Sequence, residues 1–239
     1  MSEELILIAA AVIPALWLLI KIYRADRLEK EPVGLILLLL VLGILSTVLA
    51  SLTEQIGDLA ISYFLPEGTL AYDILLYFVI VAFSEEGFKY LLLKNRTWRS
   101  PEFNCLFDGV VYAVSVSLGF ALWENIGYVL SFGMGAAVAR AVTAVPGHAC
   151  FGVFMGAWYG VAKRRDLEGD PARAARCRFM AMLVPALLHG AYDFIAARQT
   201  EALTVVFIVF VILLFLISLI IVSRMSKRDT YMNPPWNLF

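Results

Sequence analysis

Charge is scarce in this chain. Of 239 residues only 16% are charged, 61% are hydrophobic, and the mean hydropathy is +0.81. Soluble domains carry about a quarter charged residues and are about half apolar. A soluble class is therefore excluded, and the length leaves little room for a soluble domain beside membrane spans. Cysteine is scarce as well. Cys105, Cys150 and Cys177 are odd in number and lack metal-type spacing, which excludes a disulfide framework and a zinc knuckle. The start, Met1-Ser2-Glu3-Glu4, has no basic region, so no cleavable signal peptide is expected. There is no low-complexity tract and no clear internal repeat, and the second absence weighs against an inverted-repeat transporter. The net charge of −1 identifies no partner, and no nucleic acid is expected.

What is present is a series of long apolar runs. Seven are long enough to cross about 30 Å of hydrocarbon. They cover Leu5–Tyr23, Val33–Ile56, Leu70–Leu93, Leu106–Leu130, Ala136–Ala162, Phe179–Ala197 and Leu203–Val222. The fold expected is an all-α polytopic membrane helix bundle, residues 1–239 forming one integral membrane domain. Every alternate connection is basic: Lys21–Lys30, Lys94–Arg99, Lys163–Arg178 and Arg224–Arg228. These hold sixteen of the nineteen Lys and Arg residues; Lys89, Arg140 and Arg198 are the others. The positive-inside rule then places the N-terminus outside and the C-terminus in the cytoplasm. The loop of Arg164–Arg178 is expected to meet anionic lipid headgroups. The tail, with Pro234-Pro235, is too short to fold alone.

Against this apolar background the polar residues within spans stand out. Glu85, Glu86 and Lys89 lie together in the third run. A charge at a bilayer centre costs about 2.5–3.5 kcal/mol on insertion scales, so such groups face the bundle interior and function there. Lys89 follows Glu85 by four residues and Glu86 by three, within reach of both. A salt bridge that fixes helix register needs one acid, so the second points to chemistry. In the fourth span Glu124 and Asn125 border a stripe of small residues, Gly109, Ala113, Ser117 and Ala121, suited to close helix approach. Asn125 is expected to make an interhelical hydrogen bond. In the fifth, Val145-Pro146-Gly147-His148 is expected to break the helix near mid-span, and Gly152, Gly156 and Gly160 make a packing face. Arg140 is expected near the outer surface, its side chain snorkelling to water. In the sixth, His189 and Asp193 share a helical face, with Asp193 placed to hold the imidazole in one tautomer.

Glu85, Glu86, Glu124, His148, His189 and Asp193 are the ingredients of a hydrolase. A carboxylate acts as general base on water, and a second group protonates the leaving amine. They also suit zinc: two histidines and one glutamate as ligands, an open fourth position, and a free glutamate as base. Neither H-E-x-x-H nor a serine elbow is present. The alternative is a proton-coupled transporter, because buried acids and histidines also build proton relays. A scaffold binding partner helices accounts for the glycines but not for six ionisable groups. At 1.5 Å per residue, these boundaries put Glu124 about 10 Å nearer the outer surface than Glu85 and Glu86. Helix tilt or a re-entrant start near Phe107-Asp108-Gly109 would close that gap.

Several motifs in order carry a family resemblance: Glu85-Glu86-Gly87-Phe88-Lys89, Phe107-Asp108-Gly109-Val110-Val111-Tyr112, Leu118-Gly119-Phe120-Ala121-Leu122-Trp123-Glu124-Asn125, Pro146-Gly147-His148 and His189-Gly190-Ala191-Tyr192-Asp193-Phe194. Together, over Ser84 to Phe194, the chain resembles the PrsW family of intramembrane proteases, distant relatives of the CAAX prenyl endopeptidases. Glu124 stands where that wider superfamily often has histidine, and Lys89 stands where it often has arginine; both departures point to the PrsW branch. The resemblance implies a cell-membrane endopeptidase, with catalytic helices over about 70–197. Its substrate would be a single-pass membrane protein such as a membrane-anchored anti-sigma factor, cut in a first, regulated step. Glu85 and Glu86 match the family's acidic motif, Glu124 its second motif, His189 with Asp193 its last, and His148 a further family histidine, which implies that Glu85, Glu86, His189 and Asp193 are catalytic; from their shared inward faces, Glu124, His148 and His189 are expected to hold any metal, with Lys89 and Asn125 supporting the site. The resemblance leaves open zinc or a metal-free glutamate mechanism.

Overall fold

Short polar residues start several of the helices. The Thr69 hydroxyl accepts from Tyr72 N–H, Asp170 from Arg173 N–H, with Pro171 at the first helical position, and Thr200 from Leu203 N–H. The computed structural model describes residues 3–198 and 200–232. The expectations for Met1-Ser2 and for Pro234-Pro235 lie outside the described residues. The helices are α1 Glu3–Ala25, α2 Val33–Phe64, α3 Leu70–Ile74, α4 Ala82–Thr97, α5 Asp108–Val142, α6 Ala144–Leu167, α7 Pro171–Ala196 and α8 Glu201–Lys227, with a π-helical segment, Leu75–Val81, joining α3 to α4. Among the described residues there is no strand, only an isolated bridge between Cys105 and Tyr231. The chain is an all-helical, multi-pass membrane protein. Five helical stretches are long and apolar enough to span: Glu4–Ala25, Val33–Phe64, Asp108–Leu167, Pro171–Ala196 and Glu201–Lys227.

The stretch Asp108–Leu167 is two helices, α5 and α6, running antiparallel. Glycines make this possible. A Cβ on Gly109 would stand 2.7 Å from both Gly156 O and Gly160 N, and one on Gly156 would collide with Gly109 O and Val110 Cα. Further along, Gly152 faces Ser117 and Val114. The small-residue stripe of the fourth span and the glycine face of the fifth thus pack on each other. Gly43 of α2 meets Gly119 of α5 in a second backbone contact.

Several helices run past the span limits expected from the sequence, α2 to Phe64 and α7 from Pro171, and one connection is displaced. Residues 136–142 belong to α5, not to the start of the next span. Gly133 has φ 75°, in the region that favours glycine. In a straight helix Arg140 would stand about 24 Å from Glu124. Instead its guanidinium lies 2.7 Å from the Glu124 carboxylate, so the chain turns back at Gly133. The break that follows falls at Thr143, and Pro146 sits in the first turn of α6 rather than at mid-span. Proline is tolerated there because first-turn N–H groups have no intrahelical acceptor.

The ends carrying the basic loops gather at one end of the bundle. Lys163 donates to Trp98 O, the Arg178 guanidinium stacks on Trp98, Arg164 donates to Thr230, and Ser226 donates to Ala25 O. Buried acids sit at the same end. Burial pushes Asp26 up to about 6 and Glu31 up to about 7.

Candidate active site

Glu85, Glu86 and Lys89 occupy one turn of α4, immediately after the π-helical segment. Lys89 Nζ lies 2.7 Å from Glu86 Oε1 and 3.2 Å from Glu85 Oε2. The same ammonium is 3.3 Å from His148 Nδ1 in α6 and 3.8 Å from the centre of the Phe120 ring in α5. Four elements of charge and π-density therefore hold one fully buried cation.

His189 reaches the acids from α7. Its Nδ1 is 2.9 Å from Glu86 Oε1 and 3.7 Å from Glu85 Oε2, while its Nε2 is 3.3 Å from Asp193 Oδ2. Phe151 of α6 stacks on the imidazole at 4.7 Å between ring centroids. Gly190 makes this approach possible, since a Cβ there would meet Phe78 Cα of the π-helical segment at 2.9 Å. The two histidines have parallel surroundings. Each turns Nδ1 toward the Glu85–Glu86–Lys89 turn and gives Nε2 to a carboxylate further out. For His148 that carboxylate is Glu124, at 2.9 Å.

Glu124 thus meets His148 directly, despite the depth offset expected from the span boundaries. It does not join the inner group. One ligand atom from each of Glu85, Glu86, His148 and His189 lies within 4.8 Å of the others, and all four residues are buried. Glu124 instead lies between His148 and Arg140. Asn125 Oδ1 accepts from Arg140 Nε, and its Nδ2 donates to Ala11 O in α1. The expected outward snorkelling of Arg140 does not occur, because the turn at Gly133 carries it back over Glu124 and onto Tyr128.

A cavity of about 610 Å³ opens beside these groups. Its wall includes Glu85, Glu124, His148, His189 and Asp193. It also includes three residues that the sequence pattern does not single out as site residues: Glu54, Tyr77 and Arg140. Glu54 has a signal, as the lone charge in the second apolar run. Its Oε1 is shielded from solvent and has no hydrogen-bond partner among the described residues. Tyr77 has none, because a tyrosine in an apolar run reads as packing.

The donor types suit zinc, and an ion bound there would take the place that the Lys89 ammonium now holds beside Glu85, Glu86 and His148. Two imidazoles and two carboxylates converge, and Glu86 Oε2 is a buried oxygen without a hydrogen-bond partner among the described residues. The outer carboxylates, Asp193 and Glu124, stand where partners that fix a ligand histidine's tautomer usually stand.

Comparison with known proteins agrees with this chemistry. The family model described as PrsW family intramembrane metalloprotease matches residues 31–220. Protease PrsW of Bacillus subtilis (strain 168) is 35% identical over 189 residues, covering 79% of this chain and 82% of the relative. Protease PrsW of Clostridioides difficile (strain 630) is 32% identical over 242 aligned positions, covering 99% and 95%. That of Halalkalibacterium halodurans is 30% identical over 204 residues, covering 85% and 89%. No solved structure matches. The relatives speak for proteolysis rather than transport: the chain belongs to the PrsW family and is a membrane-embedded protease.

Proposed function

We propose that this chain hydrolyses a peptide bond in or near the transmembrane segment of a single-pass membrane protein, of the class of membrane-anchored anti-sigma factors. In this reading residues 1–239 form one integral domain in the cell membrane. It crosses seven times, with the α3–α4 unit as the third crossing, the N-terminus outside and the C-terminus in the cytoplasm. The alternation of basic connections, and their gathering at one end of the bundle, supports that orientation.

The observation that carries the mechanism is Glu86. Its side chain is fully buried, one oxygen is held by Lys89 and His189, and the other is unpartnered among the described residues. A carboxylate held at one oxygen and unpartnered at the other has a free acceptor for the proton of a water that enters from the cavity and attacks the scissile carbonyl. Glu85 lines the cavity beside it and is the second candidate for that step. The metal would be held by His148 and His189 with one of the two glutamates. Zinc so held supplies Lewis-acid polarisation of the carbonyl and a more acidic water. Asp193 and Glu124 position the imidazoles through Nε2. The protonated glutamate then delivers its proton to the departing amine. The cavity volume lies within the range of about 300–1,000 Å³ typical of ligand pockets.

The test is cleavage of a single-pass substrate in proteoliposomes, with zinc content measured in parallel. About one zinc per chain in wild type, lost with activity in His189→Ala, is the expected result. A full-rate cut by a zinc-free protein would remove the metal from the mechanism while leaving the glutamate base in place. Cleavage undiminished in Glu86→Gln would remove the base assignment.

A further inference from the structure

A second group of acids meets at the end of the bundle that carries the basic loops. Asp26 and Glu31 come from the α1–α2 connection, and Asp108 is the first residue of α5. One carboxylate oxygen from each lies within 4.8 Å of the others, and none of the three residues is more than 4% exposed. Their hydrogen bonds are too few for such burial. Glu31 Oε2 accepts from Tyr112 OH, and Asp108 Oδ2 accepts from the N–H groups of Asn104 and Cys105. Asp108 Oδ1 and both oxygens of Asp26 have no partner among the described residues. More than nine-tenths of buried polar groups are hydrogen-bonded, so three unpartnered carboxylate oxygens in one cluster call for a ligand. The nearby cation does not serve. Lys30 turns its ammonium onto the backbone carbonyls of Tyr23, Arg24 and Asp26 rather than onto a carboxylate.

We propose that Asp26, Glu31 and Asp108 bind a hard divalent cation, magnesium or calcium, that ties the α1–α2 connection to the start of α5. A set of carboxylate oxygens suits these ions and disfavours soft metals. Three atoms within 4.8 Å of one another leave a point no more than about 2.8 Å from each, and calcium–oxygen distances are about 2.3–2.6 Å. An inward movement of a few tenths of an ångström completes the contact. Asp229 stands next to the site. It groups with Asp108 and Cys105 within the same limit, holds Phe107 N–H through Oδ1, and leaves Oδ2 unpartnered among the described residues. The segment after α8 thus reaches the same point. The site is separate from the catalytic cavity, because Asp108 precedes Glu124 by 16 residues on α5, about 24 Å along the axis.

Thermal unfolding of the full-length protein in detergent tests this. The protein is stripped with EDTA, and MgCl₂ or CaCl₂ alone is titrated back. A saturable rise of about 5 °C in the midpoint is expected, with one ion acting at lower concentration. The rise should persist in His189→Ala, which separates it from metal in the catalytic cavity, and vanish in Asp26→Asn. Stripped Asp26→Asn should melt no lower than stripped wild type, since the amide removes an uncompensated buried charge. No saturable rise with either ion, or an equal rise in Asp26→Asn, overturns the proposal. Calorimetric titration of each ion into stripped wild type tests the same site without a variant: one site per chain is expected, and no binding heat with either ion overturns the proposal.

Discussion

Glu86 touches Lys89 and His189 with a single oxygen, so an amide in its place keeps the side chain's shape and one acceptor oxygen while removing the charge and the basic carboxylate. Glu86→Gln is expected to lower kcat by about 100- to 10,000-fold with little change in KM, measured on a single-pass substrate in proteoliposomes. In the proposed mechanism Asp193 acts one step further away, through its contact with His189 Nε2. Asp193→Asn should weaken zinc affinity or activity by about 10- to 100-fold, and zinc competition with a chelating dye reads the affinity separately from the rate. Lys89 serves stability instead. Lys89→Met leaves two buried acids without their cation and should cost about 3–5 kcal/mol, seen as a lower yield of folded protein and a lower thermal midpoint. Much of this scale was legible in the sequence. Glu85, Glu86 and Lys89 share a helical turn, and His189 and Asp193 sit four residues apart, so local spacing alone placed them together. The roles of Arg140 and Glu54 were not legible, since both depend on which helix lies opposite, and no local spacing encodes that.

Helix contacts here turn on glycines, and the glycines divide into two kinds. Gly156 faces backbone atoms of α5, which cannot move aside. Gly156→Val should therefore separate α5 from α6 and abolish recovery of folded protein. Gly147 adjoins His148, yet a Cβ there would meet Tyr192 no closer than 3.6 Å, an ordinary contact. Gly147→Ala should retain both fold and activity. Gly190 lies between these cases, with Phe78 Cα 2.9 Å from where an added methyl would stand. Gly190→Ala should shift α7 and with it His189, lowering the cleavage rate more than the thermal midpoint. The four-residue spacing of Gly152, Gly156 and Gly160 shows in the sequence as a packing face. The turn at Gly133 also shows, as the gap between the runs that end at Leu130 and begin at Ala136, but the short return over residues 136–142 does not, because its residues are as apolar as those of a crossing.

At the scale of the whole molecule, the alternation of basic and non-basic connections is the most legible feature. It is a property of the chain's order and needs no knowledge of packing. A cytoplasm-active reporter fused at the C-terminus should be active. A single cysteine at Thr143, in a cysteine-free background, should react with a membrane-impermeant reagent added from outside. The turn at Gly133 bears on this end of the bundle in another way. It makes the segment from Met134 to Val142 a short return that carries Arg140 onto Glu124 without belonging to any crossing. Inserting one or two residues there would rotate and lift Arg140 while every crossing keeps its register. The rim of the cavity can therefore change by insertion and deletion alone, so that access for a substrate is free to diverge while the buried Glu and His groups and the packed core stay the same.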